Sequence, residues 1–287
     1  MKIAITAANG QLGRAIIRAC QALQREQGSN LELIGLARSP DKALDLGIEV
    51  RPGSYDEPQQ LRRSLQGVDC LLLVSGMDAP EQRIQQHRNV IEAAKSAGVK
   101  KIVYTSVQGA ETSTSFSPII QSNRQTEQDV RESGLEWVIG RNGIYIEPDI
   151  DYLDSYKQLG AIRNSAAEGR CGYTTRAELG YAYARLLIEP SHNGQTYNLH
   201  GEALCQQQLV DYLNQTFDTG LTYEPMSDEA FEADRQQELG EFVGSIIAGI
   251  YQGIRLGKSD NPSQFEQAAG RPHLSWDSYF AALAAPK

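Results

Sequence analysis

Six short apolar runs punctuate the first half of the chain: Lys2–Thr6, Leu31–Ala37, Ile48–Arg51, Val68–Ser75, Lys101–Thr105 and Leu135–Gly140. They are nearly continuous in Val, Ile and Leu instead of alternating with polar residues, the pattern of strands covered on both faces. Between them, helical spacing predicts helices over Gln11–Gln27, Pro40–Leu46, Glu57–Gln66, Glu81–Ala97 and Ser122–Ser133, the fourth ending at Gly98, a residue suited to a left-handed helix C-cap. Strand, helix and strand repeated in this way predict an α/β fold with a doubly wound parallel sheet of the Rossmann type. After residue 145 the rhythm breaks into an irregular stretch, Tyr145–Gly172, then a helix near Thr175–Leu187, a strand at Gln195–His200 and mostly helical patterns to the end. The expected organisation is a sheet domain over 1–145 and a smaller, mostly helical lobe over 146–287. The boundary is soft, because segments such as Thr175–Leu187 are free to pack back on the sheet.

The first strand runs into Thr6-Ala7-Ala8-Asn9-Gly10-Gln11-Leu12-Gly13, and an apolar-periodic helix follows at once. A sharp strand-to-helix turn gathers free backbone N–H groups and the positive end of the helix dipole at one point, a site for a pyrophosphate. Gly10 lets phosphate approach the backbone and Gly13 lets helix and strand pack closely, matching the last two glycines of a G-x-x-G-x-x-G loop. The first is Ala7 here, so the turn must either use ordinary dihedrals or tolerate strain. The second strand ends Ala37-Arg38-Ser39-Pro40-Asp41-Lys42, with a guanidinium where a site for NAD wants a carboxylate. This favours NADP(H), with Arg38 pairing with the 2′-phosphate and Lys42 adding a charge. A solvated Arg and Lys, or a pair of either with Asp41, is the structural alternative.

Ligands of open α/β sheets bind beyond the carboxyl ends of the strands. Those ends carry Ser54-Tyr55, Ser75-Gly76-Met77, Thr105-Ser106 and Arg141-Asn142-Gly143. Gly76 permits close approach of a cofactor, and Asn142 offers donor and acceptor to a carboxamide. The cofactor set expected from the sequence is therefore Thr6, Ala8, Asn9, Gly10, Gln11, Leu12, Gly13, Arg38, Lys42, Ser75, Gly76, Met77, Thr105, Ser106 and Asn142.

Composition narrows the partners. A net charge of −9 at pH 7, with Lys and Arg dispersed, recruits neither nucleic acid nor anionic lipid, and no apolar run approaches the about 20 residues of a membrane span. Four scattered cysteines, Cys20, Cys70, Cys171 and Cys205, indicate neither disulfides nor a metal site, and the expected location is cytoplasmic. Assembly as a homodimer is left open.

With these strings assembled, above all Ile5–Gly13, Ala37–Ala43, Leu71–Gly76, Gln86–Lys95, Val103–Ser106 and Leu135–Tyr145, the chain resembles the NmrA-like branch of the atypical short-chain dehydrogenases/reductases, near bacterial type 2 quinone reductases and triphenylmethane-dye reductases. The resemblance implies that Gly10, Gln11, Leu12 and Arg38 hold the adenosine and phosphate end of NADPH, with the residues after Ser75 and around Asn142 nearer the nicotinamide. It also draws attention to Gln128, which stands where relatives often carry lysine. Carbonyl reduction by short-chain reductases uses a Tyr-x-x-x-Lys pair, and none occurs among the 13 tyrosines; Tyr152 precedes Tyr156 and Tyr251 precedes Arg255 at that spacing.

The expected reaction is hydride transfer from NADPH to a quinone or another planar conjugated acceptor, with Asn142 and Tyr145 as the catalytic candidates. Phe116, Ile119, Ile144, Tyr145, Tyr152, Tyr156, Phe242, Ile246 and Tyr251 are candidates for an aromatic pocket. His87 reads as a surface or interface histidine. The alternatives are a dinucleotide-sensing regulator without turnover and a reductase of imines or benzylic ethers.

Overall fold

The computed structural model describes residues 1–28 and 30–285. The first half follows the predicted alternation: β1 (Lys2–Ile5), α1 (Gln11–Gln27), β2 (Glu32–Ala37), β3 (Glu49–Pro52), α2 (Pro58–Ser64), β4 (Cys70–Val74), α3 (Pro80–Ala97), β5 (Lys101–Val107), α4 (Ser117–Arg131) and β6 (Glu136–Asn142). Pro40–Leu46 winds as a tighter 3-10 helix. α4 begins five residues before the predicted Ser122, because Pro118 occupies the first turn, where its missing N–H is no loss.

The chain then leaves the sheet through β7 (Ile144–Tyr145), α5 (Glu147–Asp151), α6 (Leu153–Leu159), β8 (Ala161–Asn164), β9 (Arg170–Cys171) and β10 (Tyr173–Thr174). It returns as α7 (Arg176–Ile188) and β11 (Gln195–Leu199), and departs again through β12 (Leu204–Cys205), α8 (Gln206–Phe217), β13 (Thr222–Pro225), α9 (Asp228–Leu239) and α10 (Glu241–Arg255). α11 (Phe265–Ala269) comes back to the sheet, and α12 (Trp276–Ala284) closes the smaller lobe.

Seven strands form one parallel sheet in the order β11-β6-β5-β4-β1-β2-β3. Alternate side chains enter two different cores. Ile3, Ile5, Leu72 and Val103 pack under α1 and α7, while Ala4, Leu71, Leu73, Ile102 and Tyr104 pack under α2, α3 and α4. Both faces are apolar, hence the unbroken runs in the sequence. The direction of winding reverses between β1 and β4, which opens a crevice at their carboxyl ends. The third core, around Ile146, Ile162, Tyr173, Leu209 and Ile254, belongs to the smaller lobe. Among the described residues, no helix is long and apolar enough to cross a membrane.

Candidate functional site

The loop between β1 and α1 sits at this crevice. Ala7 takes φ +49°, so the turn is left-handed in spite of its Cβ and carries the strain that glycine would avoid. The Ala7 carbonyl accepts the Gly10 amide at 2.8 Å, and a Cβ on Gly13 would lie 2.3 Å from that same oxygen. Gly13 is thus fixed by close approach of helix to loop. Ala8 is buried and its amide bonds Leu36 O at 3.0 Å, Leu12 enters the core, and Gln11 faces solvent. Among the described residues, no side chain caps the N-terminus of α1. Its first amides and dipole therefore remain available to a pyrophosphate, and the residues present fit a dinucleotide.

Arg38 and Lys42 are exposed beside this loop, and among the described residues neither forms an ion pair, with Asp41 or with any other carboxylate. Arg14, which sequence reasoning passed over, braces the segment: it donates to Asn9 O at 3.3 Å, to Lys42 O and to Asp45 at 2.5 Å. Its place in the first turns of α1, beside the glycines, was the available signal. Arg38→Ala is expected to remove most of a preference for NADPH over NADH, about 1.5–3 kcal/mol for a charge-assisted bond, as read by titrating both nucleotides. Equal dissociation constants in the wild type would contradict this.

At the remaining strand ends, several predicted side chains bond within the protein. Thr6 Oγ1 accepts the Val74 amide at 2.9 Å and the Tyr55 hydroxyl at 2.5 Å, joining β1 to β4 at the switch point. Thr105 Oγ1 accepts the Ser75 amide at 2.9 Å, and Ser106 Oγ donates to Glu127 at 2.7 Å. Met77 projects outward, 83% exposed. Gly76 donates its amide to His87 Nε2 at 2.9 Å. His87 is fully buried and not on the surface as expected; its other ring nitrogen meets Thr126 Oγ1 at 2.9 Å, and burial, aided by Arg83, holds its pKa down at about 3. It is a fixed neutral acceptor that shapes the Ser75–Gly76 turn.

Gln128 is exposed and bonds Glu132 at 2.9 Å, one turn along α4, so its identity does not bear on the strand ends. The α4 side chain that faces them is Asn123, whose Oδ1 accepts the Tyr104 hydroxyl at 2.6 Å and the Ser75 hydroxyl at 3.0 Å. Asn142 is buried; it accepts the Tyr183 hydroxyl at 2.6 Å and points its amide at Tyr145 Oη, 3.5 Å away. Arg176 stacks over the Tyr145 ring at 4.8 Å. Burial raises the Tyr145 pKa, so the phenol keeps its proton at neutral pH.

Across the crevice, the predicted aromatic set divides. Ile144, Tyr156 and Tyr251 border the smaller lobe's core, the Tyr152 and Tyr156 rings lie 6.2 Å apart, and Phe116 and Ile119 open α4. Ile246 is half-buried, while Phe242 is 50% exposed and faces solvent at the start of α10. Within this lobe the sequence reading missed Asp149, a buried carboxyl whose Oδ1 accepts the Tyr156 hydroxyl at 2.9 Å. Its short helix lies in an irregular stretch with no periodicity to mark its inward face.

Burial raises the Asp149 pKa to about 6. Between about pH 4 and 6 the folded state then holds a proton that the unfolded chain has released, so stability falls as pH rises through that window. Asp149→Asn, which can still accept from Tyr156, is expected to raise stability at pH 7 by up to about 3 kcal/mol and to flatten the profile below pH 6. Denaturant melts at several pH values would read both effects, and a loss of stability at pH 7 would contradict them.

Residues 7–169 match the NAD(P)H-binding family. The chain is 36% identical to Quinone oxidoreductase 2 of Escherichia coli over 235 residues, 80% of each protein. Its structure superposes on the E. coli NADPH-dependent quinone oxidoreductase complexed with NADPH with a TM-score of 0.88 at 31% identity, covering 99% of this chain and 100% of that one. It superposes on the Citrobacter triphenylmethane reductase complexed with NADP(H) with a TM-score of 0.87 at 30% identity, covering 98% and 99%. An uncapped helix over a two-glycine loop, a free arginine beyond β2 and these likenesses agree: the chain belongs to the NAD(P)H-binding family, in its NmrA-like branch of the atypical short-chain dehydrogenases/reductases.

Proposed function

We propose that this NAD(P)H-dependent oxidoreductase delivers hydride from NADPH to a quinone-like or other planar conjugated acceptor bound between the carboxyl ends of β4, β5 and β6 and the smaller lobe. NADPH, when bound, supplies the hydride. The chain's own part is to hold and orient. The α1 N-terminus and Gly10 receive the pyrophosphate, Arg38 and Lys42 the 2′-phosphate, and the Ser75–Gly76 turn supports the nicotinamide end. Asn142 fixes the Tyr145 phenol beside the acceptor.

One observation carries the choice of acceptor: among the described residues, no lysine bonds a phenol at the ends of β4, β5 and β6 to make it an acid. His87 stays neutral, Asn123 occupies the inward face of α4, and the Tyr145 phenol has no lysine to lower its pKa. A ketone needs an acid as its alkoxide forms, whereas a quinone becomes a stabilised hydroquinone anion that water can protonate. The E. coli relative named a quinone oxidoreductase supports the same choice. Quinones should be turned over and simple ketones left unreduced, with a quinone rate that is flat between about pH 6.5 and 8. Efficient ketone reduction would overturn this reading.

A further inference from the structure

Arg83, on the second turn of α3, is only 4% exposed, and its Nε is sealed from solvent without a partner. Among the described residues its guanidinium takes part in no hydrogen bond and no ion pair. Such burial is costly, because a desolvated cation normally requires an anion. Arginine nevertheless stays charged. Asp78, a carboxylate whose charge acts on it, is bonded instead by Gln86 at 2.7 Å.

Its position gives this unpaired cation a use. α3 follows β4 and runs back along it, so its first turns lie at the carboxyl edge of the sheet, just past the Ser75–Gly76 turn. His87, one turn further along the same face, touches the Gly76 amide at 2.9 Å, which sets Arg83 about 6 Å nearer the edge. The hydroxyls of Tyr104 and Ser75 both donate to Asn123, and among the described residues neither accepts from the Arg83 guanidinium.

We propose that Arg83 is a specificity-determining residue that receives the acceptor oxygen on which negative charge collects. The inference rests on the hydride-transfer reading above. The quinone gains one hydrogen and two electrons, the nicotinamide is oxidised, and the resulting hydroquinone monoanion takes one proton from water; no other reactant is required. The substrate class is therefore neutral or anionic quinoid acceptors, and permanently cationic dyes are disfavoured, even though the chain is as similar to a triphenylmethane reductase as to a quinone reductase.

The test compares three planar probes on the wild type, Arg83→Met and Arg83→Lys: lawsone, an anion at neutral pH; menadione, neutral; and crystal violet, a cation. Equilibrium binding to the protein loaded with NADP⁺ should favour lawsone over crystal violet by about tenfold or more, a preference that Arg83→Met erases and Arg83→Lys largely keeps. Menadione turnover should fall about 10- to 100-fold in Arg83→Met, mainly in kcat, with NADPH affinity unchanged. Wild-type protein that binds crystal violet as tightly as lawsone, or an Arg83→Met protein with unaltered preference and turnover, would overturn the proposal. If Arg83→Met does not fold, the wild-type ordering and Arg83→Lys still decide it. A wild type that shows the anion preference yet reduces no quinone would instead refute the hydride-transfer reading and leave the anion site standing.

Discussion

Replacing Glu127 by alanine is expected to cost about 3–5 kcal/mol of stability, toward the lower end because its partners are partly exposed. Glu127 lies fully buried in α4 and accepts from Arg141 at 2.7 and 2.8 Å, Arg124 at 2.8 Å, Arg131 at 3.1 Å and Ser106 at 2.7 Å. Burial works to raise its pKa, but Arg141, Arg124 and Ser106 together hold the carboxyl below its ordinary value. Its stabilisation is therefore present above the usual glutamate range and is lost as pH falls through the lowered value. Removing the carboxylate leaves three guanidinium groups converging on an empty hollow that joins α4 to the ends of β5 and β6. Denaturant unfolding at neutral pH reads the loss. A change under about 1 kcal/mol, the size of a surface ion pair, would show that the cluster is not the clasp described here.

Gly13→Ala is expected to weaken NADPH binding by at least about 10²-fold, equivalent to about 2.8 kcal/mol. The added Cβ would come 2.3 Å from a backbone oxygen, Ala7 O, and only movement of the loop can relieve that contact. The same oxygen holds the Gly10 amide, so the phosphate cradle moves with it. NADPH fluorescence titration measures the loss, and a thermal melt without nucleotide separates it from unfolding. An alanine variant with wild-type affinity would mean that the pyrophosphate does not depend on this turn.

How far the sequence anticipates the molecule depends on which physical pattern each residue obeys. α1 begins and ends where its apolar period, the loop before it and Gly28 after it place it, because all three local signals agree. Gly10, Gly13 and Arg38 could be placed for the same reason: one local turn and the end of the strand beside it carry them. Gln128 was weighed by its string and not by its helical phase. Ile120, Asn123, Glu127 and Val130 share one inward stripe on α4, and Gln128 lies off it. The same phase on α3 runs through Arg83, His87, Val90 and Ala94, so two polar residues on an apolar stripe already announce burial. What faces them comes from elsewhere in the chain, as with the Gly76 amide. The Tyr183 bond to Asn142 forms only when α7 rejoins the sheet, which no spacing records, whereas Asp149 meets Tyr156 within one irregular stretch that has no period to mark its inward face.

The central claim is that the chain turns over NADPH with a conjugated two-electron acceptor. The most direct measurement mixes purified protein with NADPH and menadione under nitrogen, follows nucleotide absorbance and identifies the product, beside controls without acceptor. Catalytic loss of NADPH matched one for one by menadiol is the predicted result. NADPH that binds tightly and is consumed by neither quinone nor dye would contradict it, and would leave a protein that senses the dinucleotide instead of spending it.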